Sequence, residues 1–245
     1  MPKKSLRNST VGQVKKDLAA LADSERAANL AWFFKTGKGD YGEGDRFLGI
    51  TVPLQRKVAA RHRNLALSGV AALLDSRFHE HRFVALVILS AQFKTAATAE
   101  RENIVRFYLN HTERINNWDL VDASAPYIIG EYLKGQSREL LDRLARSPNL
   151  WERRIAIIST LALIRNGEIA DTFRIAKLLL PDQHDLIHKA IGWTLRETGK
   201  ISRPALLQFL QQHYHRIPRT ALRYAIEHLT PEDRKQALSG VFAAD

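Results

Sequence analysis

Apolar residues recur at helical spacing through nearly the whole chain, as in Val70, Leu73, Leu74 and again in Leu140, Leu141, Leu144, while sustained alternation of apolar and polar positions is absent. The pattern predicts an all-α protein. Pairs such as Ser68-Gly69, Asn166-Gly167, Pro181-Asp182, Gly199-Lys200 and Ile217-Pro218 separate apolar runs of one helix length, which makes them short helix-to-helix turns. One long stretch breaks this rhythm. Residues 35–53 hold Gly37, Gly39, Gly42, Gly44 and Gly49, five of the thirteen glycines, and are expected to form a mobile loop behind an N-terminal cap of one or two helices.

A fixed period runs through the rest. Segments opening at Arg82, Trp118, Arg154, Lys189 and Arg219 align at offsets of 36, 36, 35 and 30 residues, the length of a two-helix repeat. Each unit would carry a first helix (in 70–74, 104–109, 140–144, 175–180 and 206–210), a short turn, and a second helix opening at the aligned position. A helix pair cannot bury its own apolar face, so neighbours must stack. The fold expected is a HEAT-like α-solenoid of antiparallel helix pairs, with the second helices lining one concave surface. Its organisation is read as a single domain over 1–245, with the cap and Gly-rich loop in 1–53 and the repeats in 54–240.

Charge changes what that surface is for. Lys and Arg total 37 against 26 Asp and Glu, a formal charge of +11, and 45% hydrophobic residues supply a sizeable core. A field this positive points to nucleic acid, so the concave face is expected to be a basic DNA-binding one. Zero Cys excludes disulfides, thiol catalysis and Cys-ligated zinc. The longest apolar stretches, 83–89 and 155–164, fall well short of the roughly 18 residues of a membrane span, and no apolar region follows the basic start. A cytoplasmic protein, monomeric because an open groove needs no second chain, is the expectation.

The aligned helices carry the candidate chemistry. Lys189, Trp193, Arg196 and Lys200 stand at i, i+4, i+7 and i+11, on one helical face, with Ile187, Ile191 and Leu195 pointing away. An indole between cations suits a nucleic-acid backbone; its alternative is a Trp packed on the next repeat under Lys and Arg stems. Trp118 and Asp122 share a face at i, i+4, with Leu120 and Tyr127 opposite, and the repeat register makes Asp122 equivalent to Trp193 two repeats on, so both are expected on the groove lining. Asp119 reads as a helix-start aspartate behind Asn116 and Asn117, which can cap. Arg82, Arg153, Arg154 and Arg219 are helix-start cations, of which at least one should reach phosphate; the wheel leaves the roles of Arg153 and Arg154 open.

Other patterns carry less. Gly37-Lys38-Gly39-Asp40-Tyr41-Gly42 matches G-x-G-x-x-G, but no strand precedes it, so a dinucleotide site is not expected. The pairs His79/His81, His184/His188 and His213/His215 have ligand-like spacing without an accompanying carboxylate motif, and neither a metal nor a cofactor is predicted.

The 35–53 segment, Asn117-Trp-Asp-Leu-Val-Asp122, Asn149-Leu-Trp-Glu-Arg-Arg154 and His188-Lys-Ala-Ile-Gly-Trp-Thr-Leu-Arg-Glu197, in this order, resemble the AlkD-type DNA alkylation repair glycosylases over about residues 20–235. The resemblance implies a HEAT-like solenoid with a concave DNA-binding face. It implies a monofunctional glycosylase of base excision repair that removes cationic N3- and N7-alkylated purines, such as 3-methyladenine and 7-methylguanine, from duplex DNA without a flipped-base pocket. Trp118, Asp122 and Trp193 match the family's catalytic trio, and Arg154 and Arg196 its DNA-contacting arginines. Trp32-Phe33-Phe34 stands where the family offers an aromatic ring to DNA, and which ring serves here is open. The competing reading is a relative that binds damaged or branched DNA without excising bases; a HEAT scaffold for RNA or an acidic protein is the further alternative.

Overall fold

The computed structural model describes residues 9–242. Its helices, in chain order, are α1 (Val11–Ala19), α2 (Ser24–Phe33), α3 (Val52–Arg61), α4 (Leu67–Leu74), α5 (His79–Thr95), α6 (Thr98–Leu109), α7 (Trp118–Asp122), α8 (Glu131–Leu133), α9 (Glu139–Ala145), α10 (Leu150–Arg165), α11 (Ala170–Leu179), α12 (Asp185–Ile201), α13 (Arg203–His213), α14 (Arg219–Ala225) and α15 (Pro231–Ser239). A π-helical turn, Pro126–Gly130, leads into α8. Among the described residues there is no strand, only an isolated bridge between Arg46 and Phe78.

The fold is all-α, and the five aligned positions all lie on second helices of pairs: Arg82 in α5, Trp118 in α7, Arg154 in α10, Lys189 in α12, Arg219 in α14. The five first helices are α4, α6, α9, α11 and α13. Within its helix, however, the aligned residue comes first in α7 and α14 but fourth or fifth in α5, α10 and α12. Side-chain caps set the starts: Asn117 accepts from the Trp118 amide, Asn149 from Trp151, and Ser202 from Ala205, each satisfying a donor that the first helical turn leaves orphaned.

The chain divides into two compact units, one ending at Ser124 and the other beginning at Ala125. In the first, α5 packs against α1, α3, α4, α6 and α7, and accordingly its residues from His79 to Leu86 are all buried. A helix covered on every side must be apolar all round; α5 meets this from Phe83 to Leu89, and the buried polar residues that open it find ion-pair and hydrogen-bond partners. In the second, α10 packs against α9, α11, α12 and the π-helical turn, and α12 in turn against α13 and α14, the stacking of second helix on second helix that defines a HEAT-like array. Gly192 permits the last contact: a Cβ there would lie 2.5 Å from the Ala221 carbonyl oxygen and 2.4 Å from the Tyr224 Cβ.

The Gly-rich segment is fastened rather than loose in its second half. Glu80, fully buried on α5, accepts backbone N–H bonds from Leu48 (2.9 Å), Gly49 (2.8 Å) and Ile50 (3.3 Å). The Asp23 amide donates to the Leu48 carbonyl, and the His79 amide to that of Arg46. At Gly49, where φ is 80°, a Cβ would come within 2.0 Å of the Asp23 carbonyl oxygen, so only glycine lets the strand-like segment cross the start of α2. This corrects the expectation of a mobile loop for 45–50: its backbone polar groups are taken up by a buried carboxylate.

Candidate nucleic-acid interface

In the first unit the site is built on α7. Trp118 is half-buried, with its indole stacked on Phe34 (centroids 5.3 Å apart, planes at 23°) and met edge-on by Phe33 at 6.1 Å. Phe34 continues a pile of rings, stacking on Phe47 at 5.2 Å and lying 4.9 Å from His79. Of the three aromatics in Trp32-Phe33-Phe34, Phe34 is therefore buried floor, Phe33 touches Trp118 while remaining 54% exposed, and Trp32 stands 83% exposed at the edge of an open cleft shared with Lys35.

His79 holds this assembly together. Its Nε2 donates to Asp119 at 2.8 Å and its Nδ1 to Asp45 at 3.3 Å, and Asp45 also receives the Arg82 guanidinium at 2.6 Å. Burial opposes charge on the ring, and the nearby Arg82 opposes it further, but the Asp119 carboxylate and the hydrogen bonds to both acids outweigh them and push the His79 pKa up to about 9. Asp45 is held below the usual carboxylate value by His79 and Arg82 against the opposite pull of burial. His81, two residues on, takes the other course: burial and the neighbouring Lys15 and Arg82 push it down to about 4. The pair is thus one cation and one neutral ring with separate partners, not a ligand pair.

An imidazolium gained on folding stabilises fully below its unfolded pKa near 6.5, and its contribution is lost as pH rises through 9. Wild-type stability is therefore expected to decline between about pH 6.5 and 9 by an amount on the order of 3 kcal/mol that His79→Gln does not show. Urea unfolding of both proteins across that range checks it; parallel curves would refute the imidazolium.

Asp122 closes α7, half-buried. Its carboxylate lies near enough to the fully buried Tyr108 to act on its phenol, whose ionisation is pushed up by burial first and by Asp122 in addition, although the hydrogen bond to Ser124 (2.9 Å) pulls the other way. Trp118 and Asp122 are thus brought to one short helix, as the spacing predicted. Tyr127, at the second position of the π-helical turn, is 43% exposed.

In the second unit, Trp193 on α12 is half-buried and lines an open cleft of about 280 Å³ with Leu161, Ile164 and Arg165 of α10 and Glu197. Lys189 is half-buried and paired with Asp185 at 2.7 Å; Lys200 is exposed and paired with Glu197 at 2.7 Å; Arg196 is half-buried and paired with Glu227 and, at 3.5 Å, with Glu197. These three cations stay at the surface beside Trp193.

The other arginines do not. Arg82 is 2% exposed, its guanidinium spent on Asp45 and the Ser76 carbonyl. Arg154 is 4% exposed and donates to the Leu186 carbonyl, tying α10 to the start of α12. Arg153 pairs with Asp182 at 2.6 Å and caps the carbonyls of Ser147 and Pro148. Arg82 and Arg154 are thereby corrected from phosphate contacts to structural ties, buried in opening turns that other helices cover. Arg153 is half-buried and paired in the free protein. The pair His184 and His188 is also structural: His184 accepts from the Leu186 amide, and His188 donates to the Asp182 carbonyl.

Sequence reasoning missed His79, Asp45, Phe47 and Arg165. The run Phe78-His-Glu-His-Arg82 ahead of an apolar helix was the available signal, since so many buried polar residues must find partners.

Comparison with known proteins bears on this arrangement. A family model described as DNA alkylation repair enzyme matches residues 14–229. A solved structure of a predicted DNA alkylation repair enzyme from Enterococcus faecalis is similar at TM-score 0.67 and 18% identity, over 86% of this chain and 97% of that one, a likeness of fold. No curated protein matches.

Proposed function

The chain belongs to the DNA alkylation repair enzyme family, and from that membership we propose that it is a monofunctional DNA glycosylase excising cationic N3- and N7-alkylated purines from duplex DNA. The observation that carries this reading is Asp122: a half-buried carboxylate one helical turn from a stacked indole, on a chain of net charge +11. A pure electrostatic DNA binder gains nothing from an acid at that place.

The chemistry fits a site with a carboxylate and aromatic rings. Alkylation at N3 or N7 makes the purine a cation, so when the bond from C1′ to N9 breaks, its electron pair neutralises the departing base and no general acid is required. The positive charge passes to the deoxyribose as an oxocarbenium-like species. Asp122 stabilises that charge where it develops and takes up the proton of the water whose oxygen bonds to C1′, leaving an abasic site. Trp118 and Trp193 present indole faces, whose negative quadrupoles favour a cation, and Phe33, which meets Trp118 edge-on, is assigned as the N-terminal aromatic. Lys189, Arg196 and Lys200 are assigned to the DNA backbone, exchanging Asp185, Glu227 and Glu197 for phosphate.

The test is selectivity by leaving-group charge. The protein is expected to release 7-methylguanine and 3-methyladenine from duplex DNA and to leave hypoxanthine, a neutral lesion, in place. Comparable release of hypoxanthine would mean that a general acid operates, and would overturn the mechanism.

A further inference from the structure

We infer that Arg165, held over the ring of Tyr127 at the mouth of the cleft lined by Trp193, is a phosphate anchor for a DNA strand. The inference rests on the reading of the protein as a duplex-DNA enzyme and adds to it a site that the family-matched residues do not include.

Arg165 is the last residue of α10, and its guanidinium carbon lies 5.4 Å from the Tyr127 ring centroid. It is exposed, and among the described residues no carboxylate lies within ion-pair distance of it. The cations around it are already paired in the free protein, Arg196 with Glu227 and Glu197, Lys200 with Glu197 and Lys189 with Asp185, and reach phosphate only by exchanging those acids. A guanidinium attracted to an aromatic ring by cation–π contact, with no carboxylate pairing its N–H groups, keeps that fork of donors available, and the fork matches the paired oxygens of a phosphodiester.

The support under it is fixed. Tyr127 sits on the π-helical turn, and that turn lies hard against α10 because Gly130 has no side chain: a Cβ there would be 2.3 Å from the Ser159 carbonyl oxygen and 2.7 Å from the Ala162 Cβ. One close packing contact thus sets both members of the pair, with Arg165 one turn beyond Ala162 on the same helix. A positive charge at the end of α10 also complements the helix dipole, but that role needs neither an exposed tyrosine beneath it nor a cleft beside it. The cleft supplies the rest of the ligand's outline. Leu161, Ile164 and Trp193 offer an apolar wall for a deoxyribose, and the one acid on its lining, Glu197, is neutralised by Lys200 and Arg196.

Equilibrium binding of an undamaged DNA duplex, followed by fluorescence anisotropy across a salt series, tests this. Arg165→Gln is expected to weaken binding roughly three- to tenfold at low salt and to reduce the slope of log K against log salt by about 0.9, the share of one phosphate. Tyr127→Phe keeps the ring and should bind as wild type, whereas Tyr127→Ala should reproduce part of the Arg165→Gln loss. Thermal midpoints should be unchanged for Arg165→Gln, an exposed residue. Wild-type affinity and slope in Arg165→Gln would overturn the anchor while leaving the enzyme's reading intact. A wild-type protein with no salt-dependent duplex binding would overturn both.

Discussion

Asn in place of Asp122 is expected to lower the single-turnover rate of 7-methylguanine release by about 10²–10³-fold, the usual effect of removing one preorganised electrostatic group from a reacting centre. The substitution is nearly isosteric, and the residues that hold α7 do not depend on the Asp122 charge: Asn117 caps its start, and His79 grips Asp119. The buried Tyr108 below keeps its hydrogen bond to Ser124 in either case. Duplex affinity should therefore be retained or improved, since a negative charge is removed from a surface that meets phosphates. Undiminished release by the variant would remove Asp122 from the chemistry, whereas loss of release together with loss of duplex binding would indicate damage to the binding surface instead.

The second large effect is expected from Glu80→Ala. The Glu80 carboxylate, itself fully buried, receives the amides of Leu48, Gly49 and Ile50. Alanine would strand three donors, each costing about 1–3 kcal/mol, so a destabilisation of roughly 3–9 kcal/mol is expected in urea unfolding. Glu80→Gln keeps one acceptor oxygen and should cost about half as much or less. The same segment carries Asp45 and Phe47, partners of His79 and Phe34, so folded Glu80→Ala should also lose excision rate through a loosened floor beneath Trp118. A midpoint shift under about 1 kcal/mol would contradict the role given to Glu80.

The periodic part of the molecule was legible from the sequence. Stacked helix pairs impose a repeat on apolar positions, and both members of each pair were found where that repeat put them. Register within a helix was not legible, because the repeat fixes helix order while caps such as Asn117 and Asn149 fix where each helix begins. That is why Arg82 and Arg154, matched to an outward position, point inward. The π-helical turn at Pro126–Gly130 was likewise invisible to a wheel at 3.6 residues per turn. The ion-pair assembly around His79 lay beyond local reading altogether, since its carboxylates come from Asp45, 34 residues before it, and Asp119, 40 residues after it. That Trp118 shares a helix with Asp122, and Lys189 one with Trp193, was visible because side chains at i and i+4 share a face whatever precedes the helix.

If this chain breaks the glycosidic bond of a cationic purine, the free base and an abasic strand must appear together. The most direct measurement is single-turnover incubation of the full chain with a duplex carrying one 7-methylguanine, followed by analysis of both the free base and the strand. Free 7-methylguanine appearing in step with an intact abasic strand is the predicted result; a stably bound duplex with the base still attached would contradict it and make the protein a reader of damage.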